Sequence, residues 1–176
     1  MLISRPGADE YAPYFGTYVN EVEGDDALSV LAAARRSTAE FLAGIAPARA
    51  GYRYAPGKWT LREVIGHLAD AERIFSYRLL RVARGDATPM AGFDENVYVP
   101  AGRFESRSLA EVAQEFGAVR DATLALVRSL DAAALAQRGV ASNTPVSARA
   151  LVWIMAGHER HHLQVLRERY LAGMTA

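Results

Sequence analysis

Residues 60–84 read TLREVIGHLADAERIFSYRLLRVAR and carry the clearest structural signal in the chain. The segment begins with a capping box, because Thr60 and Glu63 stand at the spacing that lets each side chain bond the other's backbone N–H. Apolar residues then recur at steps of three and four, the period of an amphipathic α-helix. These residues are Leu61, Val64, Leu68, Ala71, Phe75, Leu79 and Val82. Gly85 follows, as is common after a helix, so the segment predicts a long helix with one face towards a core.

The same periodicity predicts three further helices, at about residues 26–46, 108–130 and 147–171. A second capping box, Ser108 with Glu111, begins the third of the four helices. A long connection, residues 85–107, joins the second and third helices, and a short polar one, residues 139–146, precedes the fourth. The aromatic stretch 11–22 is expected to pack against the helices. Because no convincing alternating strand pattern is present, we expect an all-α four-helix bundle in which residues 1–176 form a single domain.

Composition narrows the classes of function. The chain has 20 Lys and Arg residues and 20 Asp and Glu residues, so its formal net charge is zero. A nucleic-acid partner is not expected, since such proteins normally carry a basic excess. The absence of cysteine excludes disulfides, thiolate metal sites and a cysteine nucleophile. Neither a signal-peptide pattern nor an apolar run of membrane-spanning length is present, so we expect a cytoplasmic protein without a membrane partner.

All the histidines lie in predicted helices, and three of them are candidate ligands of a divalent metal. His158 and His162 stand four residues apart, so they share one face of the last helix and can converge on one ion. His161 points to one side of that face, and His67, on the second helix, is the candidate third ligand. Three protein ligands leave coordination positions open, as in catalytic sites. The alternative is that each histidine makes an ordinary hydrogen bond in the core or at the surface.

Residues 158–162, HERHH, also match the H-E-x-x-H signature of zinc metallopeptidases, in which the glutamate is the general base. Glu159 would take that role here. The longer metzincin signature requires Gly and His where this chain has Val165 and Glu168. Glu159 also points away from the centre of the apolar face, so the metallopeptidase is a minor alternative.

Several segments resemble the DinB/YfiT-like superfamily of metalloproteins. Residues 57–68, GKWTLREVIGHL, and the following Ala71-Glu72-Arg73 are similar to the start of the second helix in that superfamily. Residues 157–163, GHERHHL, are similar to its closing metal motif. Residues 14–19, YFGTYV, and 92–98, GFDENVY, resemble segments of one branch. The similarity spans nearly the whole chain, with the motifs in order and at matching spacings.

The resemblance implies a four-helix bundle of the up-down-down-up type, with a long connection between the second and third helices. It also implies that His67, His158 and His162 bind one divalent metal, usually zinc or nickel, with water in the open positions. Members with an assigned activity are often S-transferases that use low-molecular-weight thiols such as bacillithiol or mycothiol. Others are isomerases or hydrolases, and homodimers are common. A small-molecule substrate and a homodimer are therefore expected.

The leading hypothesis is that the metal activates a thiol, or alternatively water, for attack on a small electrophile. Asp94 and Tyr98, in the long connection, are candidate catalytic residues for proton transfer or orientation; the alternative for Asp94 is an Asx turn. Arg73, Arg78 and Arg81 could receive an anionic cosubstrate, although a solvated charged face is the simpler interpretation. A non-catalytic metal-binding module of a stress response is the alternative to an enzyme.

Overall fold

The computed structural model describes residues 2–172. Its elements, in chain order, are α1 (Gly16–Glu21), α2 (Ala27–Ala43), α3 (Leu61–Ala83), α4 (Glu95–Ala101), α5 (Leu109–Arg128), α6 (Ala132–Ala136), β1 (Arg138–Ala141), β2 (Thr144–Ser147) and α7 (Ala148–Val165). After α7 the chain continues as one π-helical turn, Leu166–Tyr170. None of these helices is both long enough and apolar enough to cross a bilayer.

The mostly helical fold and the four long helices are confirmed, as α2, α3, α5 and α7. Thr60 and Ser108 are the N-caps of α3 and α5, and both capping boxes form. The Thr60 N–H donates to Glu63 Oε2 at 2.6 Å, and the Glu63 N–H donates to Thr60 Oγ1 at 3.2 Å. The up-down-down-up order of the helices stays a prediction, as does the single domain over 1–176, whose ends lie outside the described residues.

The structure differs from the sequence expectation between the third and fourth long helices. Residues predicted as a short polar connection form an antiparallel hairpin, β1 with β2, in which Ala141 pairs with Thr144. Its two-residue turn is possible because Ser142 and Asn143 adopt positive φ angles of 53° and 61°. Asparagine tolerates this left-handed region better than most residues. The long connection, residues 85–107, likewise contains a helix, α4, that was not predicted.

The core is organised around α3 and α7. Helix α3 packs against α5 and α7, and α2 packs against the same two helices on the other side. Trp153 of α7 is fully buried and its Nε1–H donates to the carbonyls of Ile3 and Ser4, which ties the N-terminal segment to the bundle. Helix α1 also packs on α7, as the aromatic stretch 11–22 was expected to do.

One buried polar network joins all four long helices. Arg120 of α5 donates to both carboxylate oxygens of Glu72 on α3, at 2.7 and 2.6 Å. Its Nη1 donates to Glu159 Oε2 of α7 at 2.7 Å, and the Thr38 hydroxyl of α2 donates to Glu159 Oε1 at 2.7 Å. All four residues are at most 4% exposed. Charge-assisted bonds of this kind hold buried groups in fixed directions.

Removal of Arg120 should therefore destabilise the fold strongly. An Arg120→Ala variant leaves Glu72 and Glu159 buried without a cation, and we expect a loss of about 3–5 kcal/mol of unfolding free energy. The control is Arg35→Ala, which removes an exposed ion pair with Asp121 and should cost about 1 kcal/mol or less. Urea unfolding at neutral pH measures both, and equal small losses would contradict the importance of the network.

Candidate metal centre

Three histidine side chains from two helices converge inside the bundle. His67 comes from α3, and His158 and His162 come from successive turns of α7. Each offers a ring nitrogen, and these three atoms lie within 4.8 Å of one another. Nε2 of His67 and Nε2 of His158 are 3.1 Å apart. The structure therefore brings together the residues that the sequence proposed as ligands.

Burial keeps these imidazoles neutral at physiological pH. Desolvation lowers the pKa of His67 to about 4 and holds the pKa of His158 well below its ordinary value. Desolvation also lowers the pKa of His162 to about 3, with smaller contributions from His67 and His161. A neutral imidazole has a free lone pair, which is the form that binds a metal.

The donor set fits one small divalent cation. Two nitrogens about 2.0–2.1 Å from a tetrahedral ion stand roughly 3.4 Å apart, close to the His67–His158 separation of 3.1 Å. His162 is half-buried, and within residues 2–172 its ring makes no hydrogen bond. The spacing of the nitrogens therefore fits one shared ion. Without the ion, His67 and His158 are close enough to hydrogen-bond each other.

A glycine precedes the candidate ligand on each helix because another element approaches closely there. A Cβ at Gly66 would lie 2.4 Å from Cε1 of Phe104, and one at Gly157 would lie 2.1 Å from the carbonyl oxygen of Tyr18. The second contact brings the Tyr18 ring edge-on to His158, with centroids 5.3 Å apart. The glycines thus let the neighbouring segments close around the histidines.

His161 lies to one side of the cluster, where the helical period predicts it. Its Nδ1 is 3.3 Å from Glu21 Oε1, and its ring contacts Tyr18 with centroids 5.5 Å apart. His161 lines a second cavity with His162 but is not among the three converging nitrogens. It is a neighbour of the candidate centre and not a member of it.

The position of Glu159 is incompatible with the metallopeptidase alternative. Its carboxylate is 2% exposed and accepts hydrogen bonds from Arg120 and Thr38 within the bundle. It lines a cavity between α2 and α7, away from the cavities that reach the histidines. A general base must reach the water that it activates, and the Glu159 carboxylate is held away from these cavities by Arg120 and Thr38. The glutamate of the H-E-x-x-H match therefore has a structural role, as the partner of Arg120 and Thr38.

Two cavities reach the histidine cluster and share Trp59 and His162 in their walls. The first has a volume of ≈ 340 Å³ and is lined by aromatic rings, by His67 and His158, and by the polar residues Arg78, Glu95 and Ser142. Its aromatic wall residues are Tyr14, Phe15, Tyr18, Trp59, Phe75 and Phe93. The second has a volume of ≈ 330 Å³ and a more polar wall that includes Lys58 and Asn96. A small molecule can therefore reach the cluster.

Asp94 and Tyr98 lie in and beside α4 and line neither of these cavities. Asp94 is the N-cap of α4, and its Oδ1 accepts from the Asn96 N–H at 2.9 Å. Tyr98 is 45% exposed and its ring packs on Phe93. The catalytic role of Asp94 and Tyr98 stays a prediction. The observed geometry of Asp94 is the Asx turn, which was the alternative to a catalytic role.

Tyr18 is in edge contact with both His158 and His161, although no sequence pattern distinguishes it from the neighbouring aromatic residues. The density of aromatic residues in the stretch 11–22 was the available signal. Arg78 was treated as part of a charged helix face, but the structure buries it to 4% exposure. Arg73 and Arg81, in contrast, pair with acidic residues near the surface.

The neutral histidines should make the stability of the metal-free protein depend on pH. Because burial lowers the folded-state pKa of His67 and His162 below 6.5, the unfolded chain binds protons below pH 6.5 that the folded chain does not. The free energy of unfolding is therefore at its full value above pH 6.5 and decreases as the pH falls below it. The total decrease is on the order of 1.4 kcal/mol for each unit by which burial lowers the pKa of a ring. Urea unfolding of chelated protein should show the loss between pH 7 and 5.

A His67→Phe variant is the control for this pH dependence. It removes one titrating ring and keeps an aromatic side chain in its place, so its stability should fall less steeply over the same pH range. Identical slopes for the variant and the wild type would show that His67 is not held neutral by burial.

Solved structures with this fold include the YfiT protein from Bacillus subtilis, a probable metal-dependent hydrolase with an unusual four-helix-bundle topology. It superposes with a TM-score of 0.67 at 14% sequence identity, over 94% of this chain and 93% of that one. The mycothiol-dependent maleylpyruvate isomerase superposes with a TM-score of 0.65 at 15% identity, over 78% of this chain and 58% of the isomerase. A sequence search among curated proteins gives no match.

At these identities the structural likeness establishes the four-helix-bundle fold but does not establish the chemistry. The sequence itself gives the family, because residues 31–166 match the family model described as the DinB superfamily. The matched span contains His67, His158 and His162, and the resemblance drawn from the sequence motifs is thereby confirmed. The chain belongs to the DinB superfamily.

Proposed function

We propose that the protein is a metal-dependent enzyme in which His67, His158 and His162 hold one divalent cation. The reaction is attack on a small electrophile by a low-molecular-weight thiol, or by water. The observation that carries this proposal is the convergence of three neutral ring nitrogens within 4.8 Å of one another beside an aromatic cavity. Three protein ligands leave room for an exogenous one.

A divalent ion bound there would lower the pKa of a coordinated thiol or water towards neutrality. The residues around the site exclude water and can donate a hydrogen bond. Aromatic rings exclude bulk water from the cavity, which strengthens electrostatic interactions inside it. Burial raises the pKa of Tyr18, so its hydroxyl stays protonated and can donate a hydrogen bond. That hydroxyl lies 3.0 Å from the hydroxyl of Tyr14, which places two phenols in the same wall.

The donor set and the structural neighbours support the proposal with either nucleophile, a thiol or water. Imidazole nitrogen is a suitable ligand for zinc and for nickel, and we propose one of these as the resident metal. One structural neighbour is a probable metal-dependent hydrolase, and another is a mycothiol-dependent isomerase. We favour the thiol as nucleophile and keep hydrolysis as the alternative.

The proposal extends to the state of the protein in the cell. We propose a single-domain homodimer in the cytoplasm that acts on a small molecule and has no nucleic-acid or membrane partner. The balanced charge of the chain supports the absence of nucleic acid, since phosphate backbones require a basic surface. The up-down-down-up order of the helices, with its long connection, belongs to the same proposal.

Metal analysis of purified variants tests the ligand set. Wild-type protein should bind about one equivalent of zinc or nickel, and His158→Ala should lose it, because a site with two remaining imidazoles binds far more weakly. His161→Ala is the matched control, a histidine from the same turn of the helix, and should keep the metal. Equal metal content in all three proteins would overturn the assignment.

Turnover tests the reaction. The metal-loaded protein, offered a panel of low-molecular-weight thiols and small electrophiles, should form the thioether product faster than the uncatalysed reaction. Chelation should abolish the rate, and added zinc or nickel should restore it. Full activity after chelation would contradict a role for the metal. Hydrolysis without thiol consumption would select water as nucleophile, and a metal-loaded protein without any turnover would favour a non-catalytic binding module.

A further inference from the structure

Arg78 is a buried cation that has no carboxylate partner within residues 2–172. The residue is 4% exposed, and its Nη2 donates to the carbonyl of Ala91 at 2.8 Å and to Ser142 Oγ at 3.0 Å. Its Nε and Nη1 make no hydrogen bond in that part of the chain. Burial lowers the pKa of Arg78, but a guanidinium stays protonated in proteins. A positive charge therefore lies in the wall of a cavity, where it forms no ion pair with a carboxylate of the described residues.

Arg120 is also a buried arginine, but it is paired with carboxylates. It donates to Glu72 through two nitrogens and to Glu159 through a third. Burial of an ion is costly unless the ion is paired and hydrogen-bonded. Arg78 differs because its unpaired donors line a cavity, so an anion from outside the chain can bind to them there.

The position of Arg78 says where that anion would lie. Its guanidinium is in the wall of the aromatic cavity that also contains His67 and His158. Its Cζ lies 6.0 Å from the ring centroid of Phe75 and 5.9 Å from that of Phe93. Rings at this distance attract a cation weakly but cannot neutralise it. The free donors of Arg78 thus belong to the same chamber as the candidate metal ligands.

The hairpin turn holds Arg78 in this position. Ser142, whose hydroxyl accepts from Arg78, is at the turn with a φ of 53°, and its N–H donates to the carbonyl of Met90 at 2.9 Å. With Nη2 fixed at two acceptors, the guanidinium cannot leave the cavity wall without breaking both bonds. A binding group held in place in this way loses little entropy when its ligand arrives.

We propose that Arg78 binds the carboxylate of the small molecule that reacts beside the histidine cluster. This inference rests on the proposed function, and it adds that one of the two reactants is a carboxylic acid with an apolar body. The planar guanidinium matches a carboxylate through paired N–H bonds, and the aromatic wall accommodates the rest of the molecule. The carboxylate belongs either to the thiol or to the electrophile.

Glu95 is the acidic residue in the lining of the same cavity. It forms no ion pair with Arg78 among residues 2–172, and its negative charge opposes an incoming anion. Replacement of Glu95 therefore provides a control with a predicted direction. Glu95→Gln should bind a carboxylate as well as the wild type does, or more tightly.

The test uses chelated, metal-free protein, so that a carboxylate cannot bind to a metal. Benzoate and its neutral isostere benzamide are titrated by calorimetry and by tryptophan fluorescence, to which Trp59 in the cavity wall contributes. Benzoate should bind saturably and about tenfold or more tightly than benzamide, the range for a charge-assisted contact. Arg78→Gln should remove this preference, and Arg78→Lys should keep part of it.

Equal affinity of the wild type for benzoate and benzamide would overturn the proposal, as would an Arg78→Gln variant that binds benzoate like the wild type. Melting temperature and metal content report whether each variant is folded with its histidine site intact. If Arg78→Gln does not fold, the lysine variant and the comparison of the two ligands in the wild type still decide. Because no turnover is measured, a failure here is distinct from a failure of the proposed reaction.

Displacement experiments distinguish the two sources of the carboxylate. Mercaptoacetate that displaces benzoate where β-mercaptoethanol does not would assign the carboxylate to the thiol. Crotonate that displaces benzoate where crotonamide does not would assign it to the electrophile. Failure of both acids to compete with benzoate would contradict a shared carboxylate site in this cavity.

Discussion

The contact of Arg120 with Glu72 and Glu159 fixes how the helices of the bundle are rotated about their own axes. Successive residues of a helix point about 100° apart, so a helix that turns Glu159 towards Arg120 must turn His158 another way. On α7 that direction is towards α3, where His67 lies. The ionic network and the histidine cluster therefore occupy different faces of α7, and both are consequences of the same rotation.

Buried charge is therefore distributed unevenly around the candidate centre. Arg120 lies between the carboxylates of Glu72 and Glu159 and donates hydrogen bonds to both. Arg78, in the aromatic cavity, has no carboxylate partner in the described part of the chain. An interior with an acidic side and a basic side suits a site that holds a cation and receives an anion, because each buried charge favours an opposite one nearby.

Local signals in the sequence were sufficient for the long helices and for two of the three histidines. Capping boxes and apolar periodicity place α3 and α5, and helical spacing puts His158 and His162 on one face. The position of His67 on the amphipathic second helix made it the third candidate, and the family motifs implied the same three residues. The contact of His67 with the distant pair depends on tertiary packing, which local spacing does not show. The burial of Arg78 could not be predicted, because it depends on a hairpin whose Ser142-Asn143 turn lacks the usual Asn-Gly signature. Sequence alone also could not separate a helix-capping role for Asp94 from a catalytic one.

The close approach at Gly157 has a consequence for any attempt to redesign the protein. With the carbonyl of Tyr18 in the space that a side chain would fill, the N-terminal segment is a wall of the chamber and not a removable tail. Tyr14 and Phe15, which precede Tyr18, line the same chamber but are not fully buried in the core. A library that diversifies these two positions would reshape the wall of this cavity while leaving the helices that present the histidines untouched.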